Sequence, residues 1–228
     1  MSPLYLYAVL AERPAGVLPS GLSGEAVRLV ACDDLLAAVG ELASAPAVDE
    51  GSLRAHDAVV RRLFAGASAL LPARFGSMAD DEAQLRDALR PRLEAFREGL
   101  RAVRGCEQMT LRFSRRDGPS EAAPAAPAPS PASGPGTRYL DARRASAGDP
   151  RAIPEVGRVL DALAPLVRGE RWERHDRPPL FASVYHLVAR ESLDRYRDAV
   201  ASAAEAAGVR VTSSGPWPPY AFAPDERT

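Results

Sequence analysis

Residues 180–212 have the sequence LFASVYHLVARESLDRYRDAVASAAEAAGVRVT. The first ten, Leu180–Ala189, are mostly apolar, β-branched or aromatic, which predicts a β-strand. In residues 191–207 apolar side chains recur every three or four positions, which predicts an amphipathic helix that ends at Gly208. The alternating, β-branched sequence of residues 209–212 predicts a second strand. Two strands joined through one helix by short connections form a βαβ-type unit, which indicates the fold class of this half of the chain.

The sequence before this unit extends it to a whole domain. Residues 107–115 alternate between apolar and polar side chains, which predicts a half-buried strand, and a helical pattern resumes near Pro154. We therefore expect residues 106–228 to form an α+β domain of ferredoxin-like character. Residues 117–137 are almost entirely Pro, Ala, Ser and Gly, and such a segment buries too little apolar area to order itself. This segment is predicted to be a flexible insertion within the domain, followed by a helix at 138–147.

Residues 1–105 are predicted to form a separate N-terminal α+β domain. Three strands are expected, at Leu4–Leu10, 26–31 and 35–39, with a tight turn between the second and the third. Two helices follow, one from Ser52 up to Pro72 and one from Asp80 or Asp81 up to Gly105. Pro91 lies inside the second helical pattern and predicts a kink or a break there.

Composition excludes several classes of function. The 228 residues carry a formal net charge of −1, which favours neither nucleic acid nor an anionic membrane as a partner. The two cysteines, Cys32 and Cys106, lie far apart and match no metal or redox spacing. The N-terminus lacks the features of a signal peptide, and no apolar run approaches the roughly 20 residues that a membrane span needs. We expect a cytoplasmic protein.

Catalytic, metal and cofactor sites are not predicted. His56 lies on the apolar side of its helix and is expected in the core or at a domain interface, His175 in a solvated loop, and His186 at a surface or interface. Asp80, Asp81 and Glu82 are better explained as a helix cap than as a cation site. No phosphate-binding or dinucleotide-binding glycine motif is present.

Two segments stand out physically. Residues 70–78, LLPARFGSM, place Arg74 among large apolar side chains, where it needs a carboxylate or carbonyl partner if it is buried. Residues 214–222, SGPWPPYAF, combine three prolines with three aromatic residues on a stiff backbone. This second segment either covers a face of its own domain or docks a partner, and the sequence leaves both interpretations open.

These segments carry a resemblance to a known family. LYLYAVL, GLSGEAVRLVACDDLLAAVGEL, RAHDAVVRRL and LLPARFGSM resemble the N-terminal half of GvpF/GvpL gas vesicle proteins. CEQMTLRF, GTRYLDARR and TSSGPWPPYAF resemble the C-terminal half, in the same order along the chain. The resemblance implies two α+β domains, of which the C-terminal one has a modified ferredoxin-like fold. It further implies a minor gas vesicle component or assembly factor. It also implies that the protein acts with the very apolar shell protein GvpA and other accessory proteins, limits GvpA aggregation before nucleation, and is associated with gas vesicles.

On physical grounds we hypothesise a partner-binding surface near Phe75, Trp217 and Tyr220, organised by Arg74. Such an apolar surface would hold shell subunits by strand addition or by helix-in-groove docking. One alternative function is a small-molecule-sensing α+β regulatory module, which requires a ligand pocket between the domains. Another is a hydrolase in which His56 meets Ser77 as nucleophile.

Overall fold

The computed structural model describes residues 3–114, 149–175 and 180–224. The predicted insertion at 117–137 and the predicted helix at 138–147 lie outside the described residues. Two β-sheets and their helices confirm the α+β fold class. The described chain divides into two compact units, of which the first comprises residues 3–109, Leu187–Glu191 and residues 215–224. The second comprises the described parts of Thr110–His186 and Ser192–Ser214. The domain boundary at residue 105 stays a prediction, and the C-terminal tail belongs to the first unit.

The sheet of the first unit is built around the N-terminal strand. Its main path has the order β2-β3-β1-β4, and β5 pairs with β1 beside β4. All these pairs are antiparallel, and the register of β1 against β3 shifts between Leu6 and Ala8, which makes Tyr7 the extra residue of a bulge. The strands are β1 Leu4–Leu10, β2 Arg28–Cys32, β3 Leu35–Glu41, β4 Leu70–Pro72 and β5 Met78–Ala79. The first strand is predicted with its observed bounds.

Helix α1, Glu50–Gly66, supplies the other half of this unit's core. The side chain of Asp49 caps its start by accepting a hydrogen bond from Ser52 N at 2.8 Å. Its buried stripe packs with β1 into one cluster and consists of Val59, Val60, Leu63 and Phe64. The predicted continuation of this helix to Pro72 is wrong. Leu70 and Leu71 belong to β4 instead. When every residue of a short apolar run is buried, the run has no periodic pattern that distinguishes a strand from a helix.

Helices α2 and α3 are the two halves of the predicted second helix. A 3₁₀ turn at Arg90–Arg92 separates α2, Glu82–Leu89, from α3, Leu93–Val103, so the break predicted at Pro91 is confirmed. The predicted cap is also confirmed, because the Asp81 carboxylate accepts a hydrogen bond from Gln84 N at 2.8 Å. Arg86 of α2 donates from Nε to the carbonyl of Ala31 at 3.0 Å, which covers part of the open edge of β2.

The second sheet has the order β7-β8-β6-β9, and the chain runs β-α-β-β-α-β through it. This is the ferredoxin-like arrangement, as predicted. The elements are β6 Cys106–Ser114, α4 Pro154–Leu163, β7 Val167–Arg174, β8 Leu180–Ala189, α5 Leu193–Ala207 and β9 Arg210–Trp217. Strand β7 is not among the strands predicted from the sequence, because its side chains are mostly charged and exposed. Strand β9 continues to Trp217, well beyond the predicted end at residue 212.

A buried polar network lies in the second unit. His186, expected at a surface or interface, is instead fully buried, with Nδ1 2.7 Å from the Tyr196 hydroxyl and Nε2 3.0 Å from Glu170. Arg151 donates to both carboxylate oxygens of Glu170, at 2.9 and 2.8 Å. The hydrogen bond with His186 lowers the pKa of Glu170, with a further contribution from Arg151, against the opposing effect of burial. His175, predicted to be solvated, lies 2.8 Å from the hydroxyl of Ser183 through Nε2.

Gly66→Ala should destabilise the first unit by about 1–3 kcal/mol, because an added Cβ would lie 2.5 Å from the carbonyl oxygen of Ala15. That backbone is held in place by the hydrogen bond from Ala15 N to Gly66 O at 2.8 Å. Urea unfolding measures the effect. Gly51→Ala is the matched control in the same helix, since its Cβ would meet only the Asp49 side chain, at 3.3 Å. If the two variants are equally stable, the close approach of Ala15 to Gly66 does not restrict the side chain at position 66.

Glu170→Gln should lower the free energy of unfolding by about 1–2 kcal/mol at pH 7, because the charged acceptor of His186 and Arg151 is lost. The pKa of Glu170 is lowered in the folded protein, so its contribution is complete above the unfolded value of about 4.3. It disappears as the pH falls through the folded value. Urea unfolding at pH 7 and below pH 4 should show the two proteins converging. Glu173→Gln, which changes an exposed partner of Tyr185, is the control.

Candidate functional site

A cavity of about 770 Å³ lies within the first unit. This volume is in the range of small-molecule sites in proteins, about 300–1,000 Å³. Its walls come from β1, from α1, from the 72–77 segment, from the α2–α3 region and from the C-terminal tail. The lining residues on which the argument depends are Leu53, His56, Asp57, Ala73, Arg74, Phe75, Ser77, Leu89, Arg92, Phe96 and Tyr220.

The 73–77 segment is a tight turn between β4 and β5. Ser77 donates two hydrogen bonds to the carbonyl oxygen of Arg74, one from its backbone N–H at 3.2 Å and one from its hydroxyl at 2.8 Å. Gly76 has a φ of +88°, a backbone conformation that residues with a side chain rarely adopt. Ala73 N and Leu6 N tie the two ends of the turn to the neighbouring backbone at 2.9 Å each. The turn therefore holds Arg74 exposed and Phe75 half-buried in the cavity wall.

His56 is the buried polar group of the cavity, and only 4% of its surface is exposed. Gly76 N donates to the Tyr5 hydroxyl at 3.3 Å, and this hydroxyl lies 2.8 Å from His56 Nδ1. The hydroxyl and the imidazole therefore share a hydrogen bond, since a hydroxyl can both donate and accept. Burial lowers the pKa of His56, against opposing effects of Asp57 and of the Ala73 backbone, so the ring is neutral at pH 7.

Nε2 of His56 has no hydrogen-bond partner among the described residues. A hydrogen bond with the backbone of Ala73 nevertheless raises the pKa of the ring, so this backbone lies close to the imidazole. Phe75 packs edge-on against the imidazole, with ring centroids 5.6 Å apart, and Tyr7 stacks on it at 5.7 Å. A buried ring nitrogen is thus enclosed by aromatic side chains at the wall of the cavity.

The C-terminal tail closes another side of the cavity by binding to α1. Tyr220 donates its hydroxyl hydrogen to Asp57 Oδ1 at 2.9 Å, and Arg61 Nε donates to Asp57 Oδ2 at 2.6 Å. The guanidinium of Arg61 in turn lies over the Trp217 ring, 4.2 Å from its centroid. Burial raises the pKa of Tyr220, and the neighbouring Asp57 raises it further. The hydroxyl therefore stays protonated and keeps donating over the physiological range.

Two more contacts fix the backbone of the tail. Ala221 N donates to Gln108 Oε1 at 2.8 Å, and Arg92 donates from Nη2 to the carbonyl of Pro224 at 2.9 Å. Of the two interpretations of this segment, coverage is therefore observed, and the surface it covers is part of the first unit. Docking of a partner at the residues that remain exposed stays a prediction.

The structure places three of the four predicted partner-binding residues in the wall of this cavity: Arg74, Phe75 and Tyr220. Trp217 does not line it but connects to it through Arg61 and Asp57. From the sequence His56 is expected in the core or at a domain interface, and Leu53, Arg92 and Phe96 are given no functional role. An isolated exposed leucine such as Leu53 carries no sequence signal, because many surface residues are apolar.

The geometry does not assemble the hydrolase considered from the sequence. Ser77 and His56 both line the cavity, but the Ser77 hydroxyl is bonded to the carbonyl of Arg74 and His56 Nδ1 to Tyr5. Across residues 3–114, 149–175 and 180–224, no group of three or more His, Cys, Asp or Glu side chains is placed to hold a metal ion. In those same ranges no helix has the length and apolar character of a membrane span.

The fold and the cavity define a class of two-unit α+β proteins in which a ferredoxin-like unit accompanies an N-terminal sheet-and-helix unit. Comparison with known proteins narrows this class to one family. The family described as "Gas vesicle synthesis protein GvpL/GvpF" matches residues 3–224, and the chain belongs to this family. The resemblance noted from the sequence motifs is thereby confirmed.

Individual relatives agree with this assignment. The chain is 29% identical to Gas vesicle protein L of Streptomyces sp. (strain CB03234), over 96% of this chain and 92% of the relative. The crystal structure of GvpF from Anabaena sp. PCC7120 matches with a TM-score of 0.74 at 18% identity, covering 99% of this chain and 97% of that one. GvpF from Microcystis aeruginosa matches with a TM-score of 0.71 at 16% identity, covering 98% and 100%. These two structures show the same fold.

Tyr220→Phe should loosen the tail, because it removes a hydrogen bond to a charged acceptor worth about 1.5–3 kcal/mol. We expect amide hydrogen exchange in residues 217–222 to accelerate by about tenfold or more, since about 1.4 kcal/mol corresponds to a factor of ten. Tyr185→Phe is the matched control, because its hydroxyl donates to the exposed Glu173 at 3.0 Å in the second unit. Unchanged exchange in the tail of Tyr220→Phe would show that Asp57 does not hold it.

Proposed function

We propose that this chain is a gas vesicle accessory or minor structural protein that binds the shell protein GvpA during vesicle assembly and limits its aggregation at nucleation. Membership of the GvpL/GvpF family gives the chain its gas vesicle role. The specific partner, the cytoplasmic location in association with vesicles and the cooperation with other accessory proteins are parts of the proposal. So is the absence of catalysis and of nucleic-acid binding.

The observation that carries the proposal is the rim of the cavity, which we call the cavity mouth and define as Leu53, Arg74, Phe75 and Tyr220. Leu53 is 44% exposed although it is a large apolar residue, and Arg74 is exposed beside it in the lining. Phe75 and Tyr220 are half-buried, so each ring keeps accessible surface. Apolar and aromatic groups around an opening, with one arginine, are the composition that protein-binding sites favour.

The cavity mouth is held in position before any partner arrives. Tyr220 is fixed by Asp57, and Phe75 packs against Tyr5 and His56 with ring centroids 6.3 and 5.6 Å apart. Side chains that are already ordered lose little conformational freedom on binding, so more of the contact energy is available as affinity. A rigid apolar opening of this kind suits a protein that must capture its partner early.

Of the two docking modes considered, helix-in-groove docking at the cavity mouth has more support than strand addition to β2. The outer edge of β2 is partly covered, since Arg86 donates to the carbonyl of Ala31 and Arg28 pairs with Glu82 at 2.6 Å. A shell subunit docked at the mouth would have part of its apolar surface shielded from other subunits. Its aggregation before nucleation would fall for that reason.

The experiment is co-expression with the cognate GvpA in a host that lacks gas vesicle genes, followed by purification at low and high salt. Wild-type protein should recover soluble GvpA in both, because apolar contacts resist screening by salt. The substitutions Phe75→Ala and Tyr220→Ala should each lower recovery by about tenfold or more, the loss typical of a central aromatic contact. Trp217→Ala should lower it less, because Trp217 connects to Tyr220 only through Arg61 and Asp57. Arg74→Ala, at an exposed position, should lower recovery without affecting the fold.

Trp172→Ala provides the matched control, since this tryptophan is 39% exposed but lies on β7 in the second unit. Thermal unfolding of every variant separates loss of binding from loss of folding. Undiminished GvpA recovery by folded Arg74→Ala and Phe75→Ala proteins would show that the cavity mouth is not the docking surface. No recovery by the wild-type protein would reject direct binding of GvpA.

A further inference from the structure

We infer that the chain forms a homodimer in which strand β7 pairs antiparallel with β7 of a second copy, with Trp172 opposite the same residue of that copy. The inference goes beyond the proposed function, since it concerns a contact of the chain with itself and involves none of the residues of the cavity mouth. Three features of β7 carry it: its position at the edge of the sheet, the exposed Trp172, and the order of its charges.

Strand β7 lies at one edge of the second sheet. In the order β7-β8-β6-β9 it pairs with β8 on one side, and no strand among the described residues pairs with its other side. The backbone N–H and C=O groups on such a side are a template for a further strand. Strand β7 has 8 residues, more than the usual length of about five or six, and contains no proline, so this template is continuous.

Trp172 is the large apolar side chain of this edge, and it is 39% exposed. Tryptophan is enriched at protein interfaces and dominates their binding energy, because its ring buries a large area with few rotatable bonds. Two residues directly opposite each other in an antiparallel pair have Cβ atoms about 4.5–5.5 Å apart, so the two indole rings would pack together. Pairing centred on this residue therefore buries both exposed tryptophans at once.

The charges of β7 favour this register. The sequence is Glu170-Arg171-Trp172-Glu173-Arg174, so each charge before the tryptophan is opposite in sign to the charge at the same distance after it. In an antiparallel pair centred on Trp172, Arg171 lies opposite Glu173 of the second copy, and Glu170 lies opposite Arg174. Each pair occurs twice by two-fold symmetry, and opposite charges across a strand pair stabilise a sheet.

Neighbouring registers are disfavoured. Side chains directly opposite each other point to the same face of the sheet, so a two-fold strand pair always places one residue opposite itself. A pair centred on Arg171 would bring two guanidinium groups together, and a pair centred on Glu173 would bring two carboxylates together. Like charges directly opposite are destabilising. The charges that protect this edge from other strands thus select one register with a second copy.

The cross-strand pairs add to contacts that these side chains have within their own chain. Glu173 is exposed and accepts a hydrogen bond from Tyr185 at 3.0 Å, which leaves further acceptor positions on its carboxylate. Arg171 is exposed and also interacts within its own chain. A guanidinium has five N–H donors, so it can bind a further carboxylate, and the dimer requires no free arginine. Glu170 already binds Arg151 and His186, so we base the test on Arg171 and Glu173.

The test uses the full-length purified chain and sedimentation velocity over about a hundredfold range of concentration, at low and high salt. We expect a monomer–dimer equilibrium that weakens with salt, because exposed charge pairs are screened. The dimer should be weak, since one strand pair buries less than the about 1,200–2,000 Å² of a stable interface. Trp172→Ala should weaken it by about tenfold or more, the loss typical of a central aromatic contact.

Two charge reversals test the register. Glu173→Arg places arginines opposite each other and Arg171→Glu places glutamates opposite each other, so each protein alone should dimerise about tenfold more weakly. An equimolar mixture of the two proteins restores opposite charges at both cross-strand positions, and a heterodimer should form with about the wild-type affinity. Arg197→Glu is the matched control, because it reverses an exposed arginine on α5 of the same unit.

A chain that stays monomeric over the whole concentration range would overturn the inference. So would a dimer that Trp172→Ala and both single reversals leave unchanged, since that dimer uses another surface. Reversals that weaken the dimer without restoring it in the mixture reject the register. The samples contain no GvpA, so failure of this inference leaves the proposed function standing, and failure to recover GvpA leaves the dimer standing.

Discussion

The packing of α1 against β1 is the constraint on which the first unit depends. One face of the helix buries Val59, Val60 and Leu63 against the central strand of the sheet, and His56 on the same helix bonds to Tyr5 of that strand at 2.8 Å. Each buried aliphatic side chain of this kind contributes about 1.5–3 kcal/mol relative to its exposed state. This packing fixes the height and rotation of α1, and the positions of all side chains on its flank follow from it.

The flank of α1 then organises segments that are remote in sequence. Asp57 and Arg61 hold the tail through Tyr220 and Trp217, while Arg190 donates to the carbonyls of Phe64 and Ala67 at 3.3 and 3.2 Å. A cation at the C-terminal end of a helix also interacts favourably with the helix dipole. A single helix thus binds residues from three parts of the chain, which explains why the first unit includes Leu187–Glu191 and the tail.

The sequence pattern was sufficient to predict an element where its buried side chains follow the regular period of a strand or a helix. Strands β1 and β8 are predicted with their observed bounds, and Pro91 and Gly208 end helices by backbone chemistry that needs no tertiary information. Strand β7 carries mostly charged, exposed side chains. Its pairing with β8 therefore cannot be predicted from a periodic pattern of apolar residues. His186 was misplaced for a related reason, because its burial depends on Glu170 and Arg151, whose positions only the fold determines.

The cavity was beyond sequence analysis for a different physical reason. Stiffness and aromatic content identified Arg74, Phe75 and Tyr220 as residues with a special role, but a cavity is space left between elements, and no single segment encodes it.

His56 shows the difference most clearly. Its helical position correctly indicates burial, whereas its hydrogen bond with Tyr5 and its packing against Phe75 exist only when the sheet and the 73–77 turn are in place. The burial of His56 can therefore be predicted from the period of its own helix, whereas its partners come from segments that only the fold brings together.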